Sequence, residues 1–431
     1  MSKHRLAAVA VAAVVIATLV AVNTAGGGRT RAAAVSGKIS VISEATASEQ
    51  KSFLAVIADF KKQNPKVTVK YTPAARQIAT ILGTAVAGGN PPDVALLPQP
   101  GLMKDFVSKG ALKPITFARS TIAKNWAPVW LQLGTVNGKL YGLFYKGANK
   151  STVWYRVKAF ADAGVSPPAT LPALLAAAKT LKASGQEAFS IGGADGWTLT
   201  DLFENIYLRQ AGAAKYDQLT AHTIKWTDPS VKAALRTMAD VLDPNYIVGG
   251  TSGALQTDFA TSVSQPFANP PKGAMIIEGD FVAGTITGST TAKPGTDFNV
   301  FAFPSIGGSG PAVVGGGDAV VMFKDNPAAR AFITYLATPR AGEIWAKRGG
   351  FSSPNKNVKP SAYADPITRK TATDLARATS FRFDLSDLQP AKFGGTVGQG
   401  EFKLFQDFLK DTKNVDGIAA ELEKARAAAG K

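Results

Sequence analysis

The sequence predicts an α/β fold divided between two lobes. The chain has 431 residues, more than one hydrophobic core ordinarily fills. After residue 36, short β-branched runs alternate with runs of helical period, the pattern of a largely parallel sheet with helices on its faces. Hydrophobic residues make up 45% and charged residues 18%, a globular composition, and glycine and proline are spread out as turns would be.

Residues 1–36 read as an export signal or an N-terminal anchor. Lys3 and Arg5 precede an apolar run from Leu6 to Val22, and Ala32 and Ala34 form a small-residue cleavage site. The run is slightly long for a cleaved peptide and slightly short for a full span, so both outcomes stay open. Either way the working location is extracytoplasmic. The chain has no cysteine. A cysteine-linked lipid anchor, a disulfide, a thiolate metal site and a thiol nucleophile are therefore excluded.

The elements follow in order. Lys38–Ser43 alternates and is β-branched, so it reads as a strand. A helix follows, with Ser48 as its cap, Phe53, Val56, Ile57 and Phe60 on its apolar face, and Pro65 beyond its end. Lys66–Tyr71 is a second strand, Arg76–Ala87 a helix, and Val94–Pro98 a short apolar strand. A short helix then ends at Gly110. Thr170, Asp228 and Asn326 each stand just before a helical run with an early proline, as N-caps do. Asp93 braces the turn at "PPDV", and Tyr155 packs in the core near the lobe boundary. The tail from Asn414 reads as an alanine-rich helix.

Net charge is +17, and removing the four basic residues before Val35 leaves +13. Such a surface favours anionic neighbours such as membranes or wall polymers. No block of five basic residues and no basic–aromatic stripe occurs, so nucleic acid is not an expected partner. Histidines are two, His4 and His222, the latter in a loop-to-strand context and read as a surface residue. No nucleophile elbow, Walker A loop, zincin motif or dinucleotide fingerprint is present, and the glycines of Gly315–Asp318 are wrongly spaced for phosphate. No metal or cofactor is expected. Two carboxylate pairs, Asp384 with Asp387 and Glu278 with Asp280, have the chemistry of a secreted glycan hydrolase. Such pairs are also common as caps.

Several blocks together resemble the extracellular solute-binding proteins of carbohydrate ABC transporters, the family of maltose-binding protein. They include "GKISVISEAT", "FKKQNPKVTVKY", "AGGNPPDVALLPQPG", "LGTVNGKLYGLFYKGANKSTVWYR", "GWTLTDLFENIYLRQAG", "KGAMIIEGDF" and "FRFDLSD". Their order carries the resemblance across nearly the whole chain after residue 36. It implies a two-lobe fold of the periplasmic-binding type, with lobe one at 37–147 plus 317–356 and lobe two at 149–313 plus 357–431. It implies a sugar, di- or oligosaccharide, held in the interlobe cleft by hinge closure and handed to ABC permease subunits, with no catalysis. A glycerophosphodiester or other anionic solute is the alternative ligand, and sensing the alternative role.

The resemblance also implies the site. Trp197, on a glycine-rich turn, either tucks into a core or stacks on a sugar face, and the family places a stacking ring there. Phe281 matches a second aromatic position. Glu44 and Gln99 follow strands at the carboxyl end, the ligand side of open α/β sheets. Asn149 lies by the first crossover. Asp280, Asp384 and Asp387 complete the expected ligand contacts.

Overall fold

The computed structural model describes residues 35–45, 47–378 and 380–430. The export segment expected at 1–36 lies outside them up to Ala34, as does the side chain of Ser48.

The first strands form as their β-branched alternation requires. β1 (Gly37–Ser43) pairs in parallel with β2 (Val67–Pro73) and β3 (Val94–Leu97). The helix Ala47–Gln63 packs on this sheet through Phe53, Val56, Ile57 and Phe60, all at 4% exposure or less. The small hairpin of β4 (Thr135–Val136) and β5 (Lys139–Leu140) leads into β6 (Gly142–Asn149), buried along its whole length. β7 (Thr152–Arg156), β8 (Met275–Ile277) and β9 (Phe298–Ala302) form a separate three-stranded antiparallel sheet. β10 (Val313–Met322) then returns to the first sheet, and β11 (Phe381–Phe383) lies alongside it.

The largely parallel sheet expected from the alternation is thus mixed. β10 runs antiparallel to both β3 and β6. A strand arriving from another lobe enters from the opposite end, and no sequence period encodes its direction. The part of the chain around the second sheet is mostly helical, and its longest helical run, Trp197–Thr220, breaks at Gly212, whose φ of +81° is not helical.

Two large cores result. One gathers side chains from Ile39 to Tyr145 and from Ala319 to Phe383. The other gathers Val153 to Val314 and Leu385 to Leu422, with a smaller cluster around Trp154 and Ile276 beside it. The sequence reading put the last crossing at 357. Val358, Ala362, Tyr363, Ala372 and Phe383 nonetheless join the first core, and Leu385 is the next to join the second. The helix Pro366–Arg377 packs against β6, and its Ile367 joins the smaller cluster around Trp154, so this stretch touches both sides.

Three crossing strands lie side by side at the waist, where β10 bonds both β6 and β11. The run Gly315–Gly317 makes this possible. A Cβ at Gly315 would lie 2.0 Å from the Phe381 ring, and one at Gly317 would lie 2.5 Å from the Lys146 carbonyl. These glycines serve close strand packing. On one flank Gly284 and Gly350 bring backbone against backbone, each with a Cβ position under 3.0 Å from the other's Cα. On the other flank, a Cβ at Gly101 would meet the Gln389 carbonyl at 1.8 Å, and Asp105 accepts from the Ala391 N–H at 3.2 Å. The two cores therefore meet on both flanks of the waist.

Local expectations fare well where the signal is local. Thr170, Asp228 and Asn326 accept from backbone N–H groups as N-caps. Asp93 accepts from Ser40 N at 2.8 Å, Ser40 Oγ at 2.7 Å and Asn326 Nδ2 at 3.0 Å. Tyr155 is half-buried and packs on Phe160 at 4.3 Å. The tail helix spans Val415–Ala428. His222 is followed by a turn and a helix rather than a strand, and it faces Glu423 at 3.1 Å.

Candidate functional site

Between the lobes lies a chamber of about 430 Å³, a size typical of small-molecule sites. Five of the eight expected residues line it: Glu44, Gln99, Trp197, Phe281 and Asp387.

Gly196 sets the position of Trp197. It takes φ +81°, in the left-handed region, and a Cβ there would strike Phe402 at 2.6 Å. The helix Trp197–Thr220 begins immediately after it, so the indole projects from a rigid end. Trp197 is half-buried and belongs to an aromatic corner. Its ring centroid lies 5.1 Å from that of Phe259 and 6.0 Å from that of Phe281, which itself lies 5.5 Å from Phe259.

Opposite the aromatics is a polar wall built on the waist. Lys146 and Lys150 stand four residues apart on one extended segment, an even spacing that directs both to one face. Lys146 Nζ lies 2.5 Å from Glu49 and 3.9 Å from Asp318. Lys150 Nζ lies 2.5 Å from Asp384, 3.0 Å from Asp201 and 3.8 Å from Asp387. The ammoniums also stand over ring faces, Lys146 over Phe281 at 5.4 Å and Lys150 over Trp197 at 5.7 Å. Burial opposes charge on each lysine, but the surrounding carboxylates outweigh it and hold both pKa values above the usual lysine range. Both remain cations.

The carboxyl groups divide by partner. Burial raises Asp384, but Lys150 outweighs it and brings the group down to about 2. Asp201, beside it, is pushed up to about 8, by burial first and with Asp384 adding to the rise, partly offset by Lys150. Neighbouring carboxylates around one ammonium cannot all ionise equally. Gln99 Nε2 donates to the Gly395 carbonyl at 3.1 Å across the lobes, which leaves its Oε1 without a hydrogen-bond partner.

Three expected contacts are not on the chamber wall. Asn149 is buried, its Oδ1 accepting from Ser151 N at 3.0 Å, where it shapes the crossover. Asp280 is buried and accepts from Ser352 Oγ at 2.5 Å, tying the lobes together; burial raises its pKa to about 6. Asp384 is fully buried, caps the turn Leu385–Leu388 and binds Lys150. The sequence reading missed Lys146, Lys150, Glu49, Asp318 and Phe259 on the wall. The one signal for the lysines was their even spacing at the end of a strand. Among the described residues no three His, Cys, Asp or Glu side chains are arranged to hold a metal ion. No described helix is long and apolar enough to cross a membrane.

The two cores with a chamber between them have the architecture of a solute-binding receptor, and comparison with known proteins agrees. The family model for bacterial extracellular solute-binding proteins matches residues 45–343, and the chain belongs to that family. It is 36% identical over 332 residues to the osmoprotective compounds-binding protein GgtB of Synechocystis, covering 75% of this chain and 77% of that one. It is 36% identical over 352 residues to the alpha-glucosides-binding periplasmic protein AglE of Rhizobium meliloti, covering 78% and 76%. In fold it is similar to a chitin oligosaccharide binding protein, with TM-score 0.77 at 22% identity, covering 91% of this chain and 99% of that one.

Proposed function

We infer that this protein binds a neutral α-glucoside of disaccharide size in the interlobe chamber and presents it, lobes closed, to an ABC permease. The observation that carries the reading is the aromatic corner of Trp197, Phe259 and Phe281 facing a wall of carboxylates and lysines. A pyranose has an apolar face for stacking and a rim of hydroxyls, and this chamber offers one surface for each. The alpha-glucosides-binding relative supports the same class.

The wall also argues against an anionic ligand. Both lysines are already neutralised by carboxylates, and Glu44, Asp318 and Asp387 add acceptors. A phosphodiester would find no free cation among the described side chains here. Hydrolysis by the acid pairs is disfavoured as well. Asp384 is ion-paired and fully buried, and Glu278 and Asp280 are both buried off the chamber wall.

A thermal-shift screen tests the proposal. Trehalose, sucrose and maltose should raise the melting temperature with concentration, because a ligand specific for the folded state stabilises it by mass action. Shifts confined to phosphorylated compounds would overturn it.

A further inference from the structure

The helix that starts at Trp197 turns a polar face inward. Asp201, Asn205 and Arg209 follow one another at four-residue spacing, with Glu204 beside them, and all four are buried. Buried polar groups are costly unless they are hydrogen-bonded. Here their partners are the three segments that cross between the two cores. At the first crossing, Asn205 Nδ2 donates to the Lys150 carbonyl at 2.9 Å, and Asn205 Oδ1 accepts from Ser151 Oγ at 2.5 Å. At the second, Ser151 Oγ accepts from Val314 N at 2.9 Å, and Arg209 Nη2 donates to the Ala312 carbonyl at 2.7 Å. At the third, Glu204 accepts from Leu385 N at 2.6 Å and Ser386 N at 3.0 Å. The Tyr216 hydroxyl joins Glu204 at 2.6 Å to the Phe383 carbonyl at 3.1 Å. Asn205 is the centre of this array. Its amide also donates to the Asp201 carbonyl at 2.9 Å and accepts from Arg209 Nη1 at 3.0 Å, so both donors and both acceptor positions are used.

We propose that this face is the mount of all three crossings, and that Asn205 is a positioning residue that sets glycoside affinity without meeting the ligand. The proposal rests on the glycoside reading above. Asn205 stands eight residues, roughly 12 Å, along the helix from Trp197 and is not on the chamber wall. One helical segment, ahead of the break at Gly212, thus carries the stacking ring at its start and the crossings on its inner face. Glu44 and Gln99 reach the chamber from the first core, Trp197 and Phe281 from the second-lobe side. They engage one sugar together only at one setting of the lobes. Loosening the mount admits other settings, and the apparent affinity falls by the fraction lost from the competent one. Because the change is remote from the ligand, the loss is the same factor for every sugar.

The experiment measures interlobe distance and affinity in the same variants. The chain has no cysteine, so Lys62→Cys and Ala183→Cys, exposed positions on a helix of each lobe, accept spin labels at those two sites alone. Distances between the labels are read without sugar, and calorimetric titration with trehalose, sucrose and maltose reads affinity. Asn205→Ala should broaden the distances and weaken every sugar that binds by one common factor of about tenfold, with the order of preference kept. Ser151→Ala, which cuts one link between the first two crossings, should do the same to a smaller degree. Asp93→Ala, which loosens only the first lobe, should move neither readout and so separates positioning from general loss of stability. Distances that stay at the parent's width in both Asn205→Ala and Ser151→Ala overturn the proposal. So does affinity within about twofold of the parent in both, or a loss that differs from sugar to sugar. If Asn205→Ala does not fold, Ser151→Ala carries the same decision. If none of the three sugars binds the parent, the glycoside reading fails, and the distances measured without sugar still decide the mount.

Discussion

Replacing Trp197 by alanine separates a stacking platform from a packing residue. The indole is half-buried, held on its inner side by Phe259 and Phe281, and it lines the chamber. A tryptophan buries up to about 200 Å² in all, so a stacked sugar covering half of that removes roughly 100 Å² of apolar surface from water. At about 25 cal/mol per Å² this contributes ~2.5 kcal/mol, or roughly 70-fold in the dissociation constant. The fold should lose less. Two aromatic contacts at about 1 kcal/mol each give ~2 kcal/mol, a drop of several degrees in melting temperature that still leaves a cooperative transition. Titration calorimetry with the best sugar from the thermal screen reads the affinity, and a melt without sugar reads the fold. Trp197→Phe should recover part of the binding, because it restores a ring on the same helix end. A Trp197→Ala protein that binds within about threefold of the parent would refute the stacking argument and make the indole a packing residue only.

Other expectations follow from the same geometry. Lys150→Met strands Asp384 and Asp201 without their cation and should cost about 3–5 kcal/mol at neutral pH; denaturant unfolding at two pH values should show the loss shrinking in acid. Asp201 has a raised value near 8, so its contribution to stability is full below the unfolded carboxylate range and is lost as pH rises toward about 8. Asp280 behaves likewise up to about 6, while Asp384, held near 2, loses its contribution only in strong acid. Melting temperature without ligand should therefore peak on the acid side and decline toward pH 8; a monotonic rise over that range would contradict it. Gly101→Val places a side chain on the Gln389 carbonyl and should lower the unliganded melting temperature by several degrees as well as weaken sugar binding by about tenfold or more. Asp93→Ala removes three hydrogen bonds joining β1 to the Asn326 cap, worth about 2–4 kcal/mol in denaturant unfolding.

What could be read from the sequence was whatever is decided within a few residues. The caps at Thr170, Asp228 and Asn326 depend on one side chain and the next turn, and they formed as their spacing required. Trp197 was legible for the same reason, because a glycine turn before a helix fixes where the indole points. Asp384 and Asp387 were not separable. They lie three apart in one turn, and only the arrival of Lys150 from the crossover decides which is sealed beneath and which reaches the chamber. Lys146 and Lys150 look like surface lysines in sequence, since nothing nearby reveals the distant carboxylates that make their burial tolerable. The antiparallel insertion of β10 was hidden too, because strand direction in a sheet is a property of the path between lobes.

The touching backbones of Gly284 and Gly350 close the lobes with no side chain between them. Gly350 lies two residues before Ser352, whose backbone bridges to Gly147 of β6, so the contact sits beside the waist strands, where it would serve as the fulcrum of a lever. A methyl group placed there would be magnified at the rims into an opening several times its own width. The binding equilibrium could thus be tuned from a position that never meets the ligand, by choosing how thick a wedge the fulcrum receives.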